Sequence, residues 1–254
     1  MARLIFLGTG TSVGVPTIGC KCKVCRSTDA HDKRLRASVF VETDHTRVLI
    51  DCGPDFRQQM LGQDFRRIDA VLLTHIHYDH VGGLDDLRPF CVFGEVNIYA
   101  DNNTADGLRH TIPYCFAKHK YPGVPNINVR VIKPHESFNV GDMNITPVKV
   151  MHDKLPILGY RIGDLLYITD MKTVDESEFE YFKGVKILVV NALRFTPDHH
   201  SHLTVDEALA FAAKTGAEQT FFTHMGHDIG LHEEVNKQLP PNVQLAYDGQ
   251  VVDF

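Results

Sequence analysis

The chain has 254 residues, of which 43% are hydrophobic and 23% charged, and its formal net charge is −6. This composition is that of a globular protein with a core of ordinary size, and the negative charge argues against a general attraction to nucleic acid or anionic membranes. No apolar run approaches the roughly 18 residues that a membrane span needs. The opening stretch MARLIFLGTG carries no cleavage signature and predicts a first strand, so we expect a cytoplasmic protein.

The N-terminal half reads as strands separated by turns and two helices. RLIFLG predicts a strand that ends at Gly8, and ASVFVETDHTRVLIDCG predicts two strands at about 37–43 and 47–51. PDFRQQMLGQ predicts a short helix with Pro54 at its start. DAVLLTH predicts a buried strand, VNIYA and NVRVIKP predict two more, and a helix is expected after Asn102.

The C-terminal half continues the same pattern. MNITPVKVMH alternates and predicts a strand, and GYRIGDLLYITD predicts a hairpin whose second strand ends at Asp170. VKILVVNAL and QTFFTH predict two further strands. Between them, TVDEALAFAAKTG predicts a helix that begins with a capping box of Thr204 and Glu207 and stops at Gly216. No linker divides the chain, so we expect one α/β domain over residues 1–254.

Four potential metal ligands occupy equivalent positions along the chain. Each comes just past the end of a predicted strand, and these residues are His75, His152, Asp170 and His224. Strand ends are rigid platforms, and the loops that leave them carry chemistry. The pattern therefore predicts one site assembled from distant parts of the sequence.

The densest cluster lies in LTHIHYDHVGG, where His75, His77, Asp79 and His80 fall within six positions. Neutral imidazoles and carboxylates are ligands that Zn, Mn and Fe accept. His75 and His77 can reach the same ion, and Asp79 and His80 can hold a second ion beside it. The other three strand-end residues would complete both sets, with the aspartate among them able to bridge the two ions.

THIHYDHVGG resembles the H-x-H-x-D-H motif of the metallo-β-lactamase superfamily, and the three later ligands match that family in order and approximate spacing. The resemblance spans nearly the whole chain and implies a four-layer αβ/βα sandwich with a two-metal site at one sheet edge. It implies that one ion is bound by His75, His77 and His152. It implies that the other is bound by Asp79, His80 and His224, with Asp170 between the two.

Two further carboxylate roles follow from the same resemblance. LIDCG resembles the family's strand-end aspartate, so Asp51 would support a metal-bound imidazole from behind. The resemblance gives Asp79 two roles, as a metal ligand and as a catalytic residue. The resemblance implies two divalent ions, Zn or Mn with Fe as a further candidate, because such ligands discriminate little among these metals.

LGTGTSVGVPTIGCKCKVC followed by RLRASVFV resembles the branch that contains the phosphoribosyl cyclic-phosphate phosphodiesterase of the carbon–phosphorus lyase pathway. In that branch a cysteine loop, here at about 19–26, binds a structural zinc. The resemblance implies that the four ligands are Cys20, Cys22, Cys25 and His227. A Cys3His set suits a closed tetrahedral zinc site.

A phosphodiesterase also needs a general acid, because the departing alkoxide must be protonated. PDHHSHLT offers His199, His200 and His202 just before the capped helix. A histidine can donate a proton near neutral pH. The resemblance points to His200, and a different register of the segment points to His202, so both stay candidates.

The function that we expect is hydrolysis of a small phosphodiester, with a ribose cyclic phosphate as the first candidate. A tRNA 3′-processing endonuclease and a member of the pyrroloquinoline quinone coenzyme branch are the alternatives. The first would show a long basic arm, which the sequence lacks, so nucleic acid is disfavoured as a partner. A non-enzymatic metal-binding module is least favoured because all seven ligand positions are filled. No membrane partner is expected, and a homodimer is left open.

Overall fold

The computed structural model describes residues 2–254, and Met1 lies outside the described residues. Fourteen strands in this part of the chain form two sheets of seven. In chain order the strands are β1 Arg3–Gly8, β2 Ser38–Glu42, β3 Arg47–Ile50, β4 Ala70–Leu72, β5 Val96–Ala100, β6 Ile127–Val131, β7 Phe138–Val140, β8 Met143–His152, β9 Leu155–Ile162, β10 Leu165–Tyr167, β11 Ile187–Asn191, β12 Gln219–Thr223, β13 Val243–Leu245 and β14 Val251–Asp253.

The helices lie between and outside these strands, and most are short. The α-helices are α1 Lys23–Arg26, α2 Phe56–Met60, α3 Tyr78–Val81, α4 Asn102–Thr111, α5 Phe179–Phe182, α6 Val205–Thr215 and α7 His232–Asn236. The 3-10 segments are Ala30–Asp32, Leu84–Phe93, Pro113–Phe116, Glu176–Glu178 and His227–Ile229. In residues 2–254 no helix combines the length and the apolar character that a membrane crossing requires.

The two sheets have matching strand orders. The first runs β14-β1-β2-β3-β4-β5-β6 and the second runs β13-β12-β11-β10-β9-β8-β7. Strands β3 to β6 are parallel, as are β10 to β13, and β8 runs in the direction of β10 because both are antiparallel to β9. The carboxyl ends of parallel strands meet at one edge of a sheet, which is where ligand sites form in α/β folds.

Three hydrophobic layers hold the sheets and helices together. The middle layer joins the inner faces of both sheets, for example Phe6 and Val39 of the first with Tyr160 and Phe221 of the second. A second layer lies between the first sheet and its helices, and a third between the second sheet and α6. Helix, sheet, sheet and helix therefore stack in four layers. The predicted αβ/βα sandwich is confirmed, and the single-domain assignment stays a prediction.

Most predicted elements lie where the sequence pattern places them. The capping box of α6 is confirmed: Thr204 caps the backbone of Glu207, the Glu207 side chain accepts from the Thr204 backbone, and Gly216 ends the helix at φ 72°. The hairpin strand that was predicted to end at Asp170 is shorter and ends at Tyr167. Three strands went unpredicted, β7, β13 and β14. Each has three residues, too few for a period-2 pattern to be recognised.

Gly53 provides close contact between two parts of the ligand-bearing edge. A Cβ at this position would lie 2.1 Å from the carbonyl oxygen of Asp79. The neighbouring backbone is bonded on both sides, since Cys52 N–H donates to the His80 carbonyl at 2.8 Å and Gly83 N–H donates to the Cys52 carbonyl at 2.9 Å. The loop after β3 can therefore lie against α3 only without a side chain at position 53.

Gly53→Ala is expected to destabilise the fold by about 2 kcal/mol or more, because backbone on both sides must move to relieve the overlap. For a chain of this size that corresponds to a fall of several degrees in melting temperature. Gly62→Ala is the matched control, since a Cβ there has nothing within 4 Å. The measurement is the melting temperature of both variants, and equal melting temperatures would contradict the close contact at Gly53.

Candidate metal centre

Five polar side chains reach one edge of the sandwich from the ends of five strands. Asp51 follows β3, His75 follows β4, His152 ends β8, Asp170 follows β10 and His224 follows β12. Asp51, Asp170 and His224 have φ values of 62°, 56° and 53°. Non-glycine residues adopt this left-handed conformation rarely, and such strain clusters at functional sites. The chain therefore turns sharply after these strands and presents the side chains at the edge.

The first ligand group contains His75, His77 and His152, with one nitrogen of each lying within 4.8 Å of the others. His152 Nδ1 donates to the carbonyl of Ser201 at 2.9 Å, so its Nε2 is the atom available to a metal. His75 is buried and His77 is exposed, and His75 Nε2 lies 3.0 Å from His77 Nδ1. Three imidazoles in this arrangement suit a zinc-like ion with an open position.

The second group contains Asp79, His80, Asp170 and His224, again within 4.8 Å of one another and all buried. His80 Nε2 lies 3.2 Å from Asp79 and 3.3 Å from Asp170. His224 Nε2 lies 3.1 Å from Asp170 and 3.4 Å from Asp79. Asp170 therefore contacts both imidazoles of its group, and it also belongs to a third grouping with His152 and His202.

Asp51 lies behind the ligands and is fully buried. Its Oδ2 accepts from His80 Nδ1 at 2.6 Å, which leaves Nε2 of that ring to face the ligand group. Its Oδ1 accepts from the backbone N–H of Thr74 at 2.9 Å, and the Thr74 hydroxyl lies 3.0 Å from His75 Nδ1. Sequence reasoning missed Thr74, although it directly precedes the histidine cluster. Aspartate and threonine together orient two of the candidate ligands, as outer partners of metal ligands do.

The electrostatics of the site hold Asp170, His75 and His77 in the forms that bind metals, whereas His80 is held protonated. Burial alone would raise the pKa of Asp170, but His224 and His80 hold the pKa of this carboxyl well below its usual range. Burial lowers the pKa of His75 and of His77, so both rings are neutral at pH 7. Burial opposes charge on His80 as well, but Asp170, Asp51 and Asp79 raise its pKa well above the ordinary value. A metal ion must therefore displace a proton from His80, which makes binding pH-dependent.

One orphaned atom tests whether this donor set fits a metal. Among the described residues, His80 Nε2 is buried and has no hydrogen-bond partner of acceptable geometry. A buried nitrogen that lies 3.2 and 3.3 Å from two carboxylates without a well-directed hydrogen bond is costly unless an ion or solvent satisfies it. The residues of the second group therefore fit a divalent ion.

The predicted cysteine loop and one distant histidine form a separate group. Its four ligand atoms, which lie within 4.8 Å of one another, belong to Cys20, Cys22, Cys25 and His227. Backbone N–H groups donate to the three sulfurs at 3.4 to 3.5 Å. Hydrogen bonds and His227 lower the pKa of the Cys22 thiol to about 6 against the effect of burial, while burial raises the pKa of Cys25 to about 11. One sulfur is therefore a thiolate near neutral pH, the form that binds zinc.

The three histidines of PDHHSHLT occupy different environments. His202 Nε2 lies 2.9 Å from Asp170 Oδ1, and its ring stacks on that of His224 with centroids 4.9 Å apart. His199 lies beside His202, with the two Nδ1 atoms 3.1 Å apart. His200 is exposed and contacts only the ring of His199 among the aromatic side chains described. The structure therefore brings His202 to the metal-ligand groups and leaves His200 outside them.

Comparison with known proteins gives consistent results. A family model described as "Beta-lactamase superfamily domain" matches residues 46–225. A crystal structure described as a new diphosphatase from the PhnP family is 42% identical, with a TM-score of 0.92, and the match covers 100% of this chain and 98% of that one. The chain belongs to the metallo-β-lactamase superfamily. Within that superfamily, the crystal-structure match shows membership of the PhnP family.

Two further relatives show the spread of the superfamily. A protein of Porphyromonas gingivalis named octanoyltransferase is 46% identical over 248 residues, which are 97% of this chain but 50% of that protein. The chain thus spans half the length of that relative. Zinc-bound PqqB from Methylobacterium extorquens is 20% identical with a TM-score of 0.82, covering 99% of this chain and 100% of PqqB, and shows a shared fold.

The metallo-β-lactamase fold implies divalent metals such as zinc. Family membership also supports the prediction of a hydrolase. The roles of the individual residues, the number of ions and the cytoplasmic location stay predictions, because the comparisons do not test them.

Proposed function

We propose that this chain is a metal-dependent hydrolase that cleaves a P–O bond in a small phosphodiester. The observation that carries the proposal is the pair of ligand groups, His75/His77/His152 and Asp79/His80/Asp170/His224, which meet at one sheet edge with His202 against them. The similar PhnP-family diphosphatase supports P–O bond cleavage as the reaction. Two ions, Zn or Mn with Fe as a further candidate, fit the nitrogen and oxygen ligands.

Ions bound in the two groups would supply a nucleophile at neutral pH and stabilise negative charge on the phosphoryl oxygens. The protein's own contribution is orientation and proton transfer. Asp51 and Thr74 hold the rings of His80 and His75, so that the ligands need little rearrangement when ions bind. Burial of the second group excludes water and strengthens each charge interaction within it.

We assign the general acid to His202. Its Nε2 lies at the meeting point of the ligand groups, within hydrogen-bond reach of Asp170, whereas His200 is exposed. Burial lowers the pKa of His202 to about 4 against the opposing effect of Asp170, so its ring is neutral at pH 7 before substrate binds. A phosphodiester anion beside the ring favours the protonated form, and that proton would pass to the departing oxygen.

A substrate panel tests the function. Metal-free protein is reconstituted with Zn or Mn and offered a ribose cyclic phosphate, a substituted diphosphate, bis(p-nitrophenyl) phosphate, a tRNA precursor, a thioester and a lactam. We expect turnover of the first three compounds, and hydrolysis of a thioester or lactam alone would refute the proposal. Cleavage of the tRNA precursor would support the endonuclease alternative, which the net charge of −6 disfavours. Inactivity towards every compound would favour the coenzyme-biosynthesis alternative.

We propose that the cysteine loop and His227 hold a structural zinc, because four protein ligands leave no open position for water. Cys22→Ser is expected to remove about one zinc per chain and to lower the melting temperature, since the binding free energy contributes to folding. Cys91→Ser is the matched control, because Cys91 is a free thiol outside the cluster. Elemental analysis of both variants is the measurement, and an unchanged zinc content in Cys22→Ser would contradict the assignment.

A further inference from the structure

A cavity of about 260 Å³ lies against the ligand-bearing segment on the side of α4. One wall comes from residues of the histidine motif that are not candidate ligands, namely Ile76, Tyr78 and Val81. The opposite wall comes from the end of α4 and the 3-10 segment after it, including Leu108, Ile112 and Tyr114. None of these six residues has a part in the proposed chemistry, so the cavity is unassigned.

The cavity and the metal centre share one stretch of backbone. Ile76 and Tyr78 flank His77, each about 3.8 Å from it along the Cα trace. Ile76 packs towards α4, since a Cβ on Gly107 would lie 2.4 Å from its side chain. Tyr78 is 68% exposed, and His77 is exposed too, so both reach the surface next to each other. A molecule whose phosphate lies at His77 therefore has Tyr78, an exposed residue of the cavity lining, beside it.

The walls suit a flat ring. Aliphatic side chains and the rings of Tyr78 and Tyr114 make up most of the lining, and aromatic faces bind planar groups by stacking. The Tyr78 ring lies over Gly82, where a Cβ would come within 2.7 Å of a ring carbon, so this ring is held against the surface of α3. Asp85 also lines the cavity, where it accepts from the Tyr114 hydroxyl at 2.8 Å and from Arg88 Nε and Nη2 at 2.8 and 2.7 Å, so its charge is paired and the Tyr114 ring is held in place.

We propose that this cavity binds a heteroaromatic ring of the nucleobase class carried by the phosphate substrate. The placement of the phosphate rests on the proposed function, while the affinity for the ring rests on the cavity alone. The substrate class is thereby narrowed to phosphodiesters or diphosphates that carry a base.

Thr111→Trp tests the proposal, because Thr111 is an exposed residue of α4 that lines the cavity, and indole would fill it. Asn103→Trp is the matched control, since Asn103 is exposed on the same helix and does not line the cavity. Isothermal titration calorimetry of the metal-loaded proteins measures the affinity for 5′-AMP and for ribose 5-phosphate. Both ligands carry a ribose 5-phosphate group, and only 5′-AMP carries a base. A loss of stacking corresponds to about tenfold in affinity.

Wild type and Asn103→Trp are expected to bind 5′-AMP about tenfold or more tightly than ribose 5-phosphate, and Thr111→Trp is expected to bind both equally. Tyr78→Ala removes an exposed ring without a core cavity and should also reduce the preference for 5′-AMP. Equal binding of both compounds by wild type, or an intact preference in both cavity variants, would overturn the proposal. A retained preference in a protein that hydrolyses no phosphodiester would instead overturn the proposed function and leave the cavity assignment standing.

Discussion

Replacing Asp170 with asparagine is expected to lower turnover of a phosphodiester by about a thousandfold or more and to weaken the binding of both ions. The reason is charge, since Asp170 contacts His80, His224 and His202 and is also grouped with His152, which belongs to the first ligand group. Loss of several kcal/mol of charge stabilisation in the transition state corresponds to this change in rate. Asparagine also tolerates the left-handed backbone at φ 56°, whereas alanine would add backbone strain to the loss of charge.

Asp164→Asn is the control for that experiment. Asp164 is a half-buried residue of the β9–β10 turn, where it pairs with Lys186 at the end of β10 opposite to the ligand edge. Elemental analysis and initial rates should leave this control indistinguishable from wild type. Full turnover and an unchanged metal content in Asp170→Asn would show that Asp170 is not a shared ligand.

The second large effect concerns the general acid. His202→Ala is expected to lose roughly a thousandfold in turnover on an alkyl cyclic phosphate, within the range that general acid catalysis contributes. An aryl ester such as bis(p-nitrophenyl) phosphate departs without protonation, so the same variant should lose less than about tenfold on it. His200→Ala is the matched control, because His200 is exposed and lies two residues away. It should retain activity on both substrates.

Metal analysis of His202→Ala separates two roles for this residue. His202 lies in a group with His152 and Asp170 whose spacing would also suit a metal ligand. A general acid can be removed with both ions retained, whereas removal of a ligand lowers the metal content. Equal losses on the alkyl and aryl substrates, accompanied by loss of metal, would assign His202 to metal binding instead of proton transfer.

The active-site motif and the fold class were accessible from sequence because both depend on local patterns. The histidine motif places four donors within six residues, and its spacing alone predicts a metal site. The capping box of α6 was equally readable, since Thr204 and Glu207 satisfy each other's backbone within one turn. Buried strands such as β4 and β11 were recognised by their apolar runs.

The sequence by itself determined which residues can bind metal, because donor chemistry belongs to the side chain and strand ends are marked by local pattern. Only the tertiary structure decided which of them meet. The parallel strands bring Asp51 against His80 and His202 against Asp170, across 29 and 32 residues of sequence. His200 and His202 are the same residue type in one short loop, and only the packing of that loop leaves the His202 side chain 12% exposed while His200 is exposed. The edge strands and the cavity beside Tyr78 likewise arise from contacts between distant segments, and a local hydrophobic pattern in the sequence cannot predict such contacts.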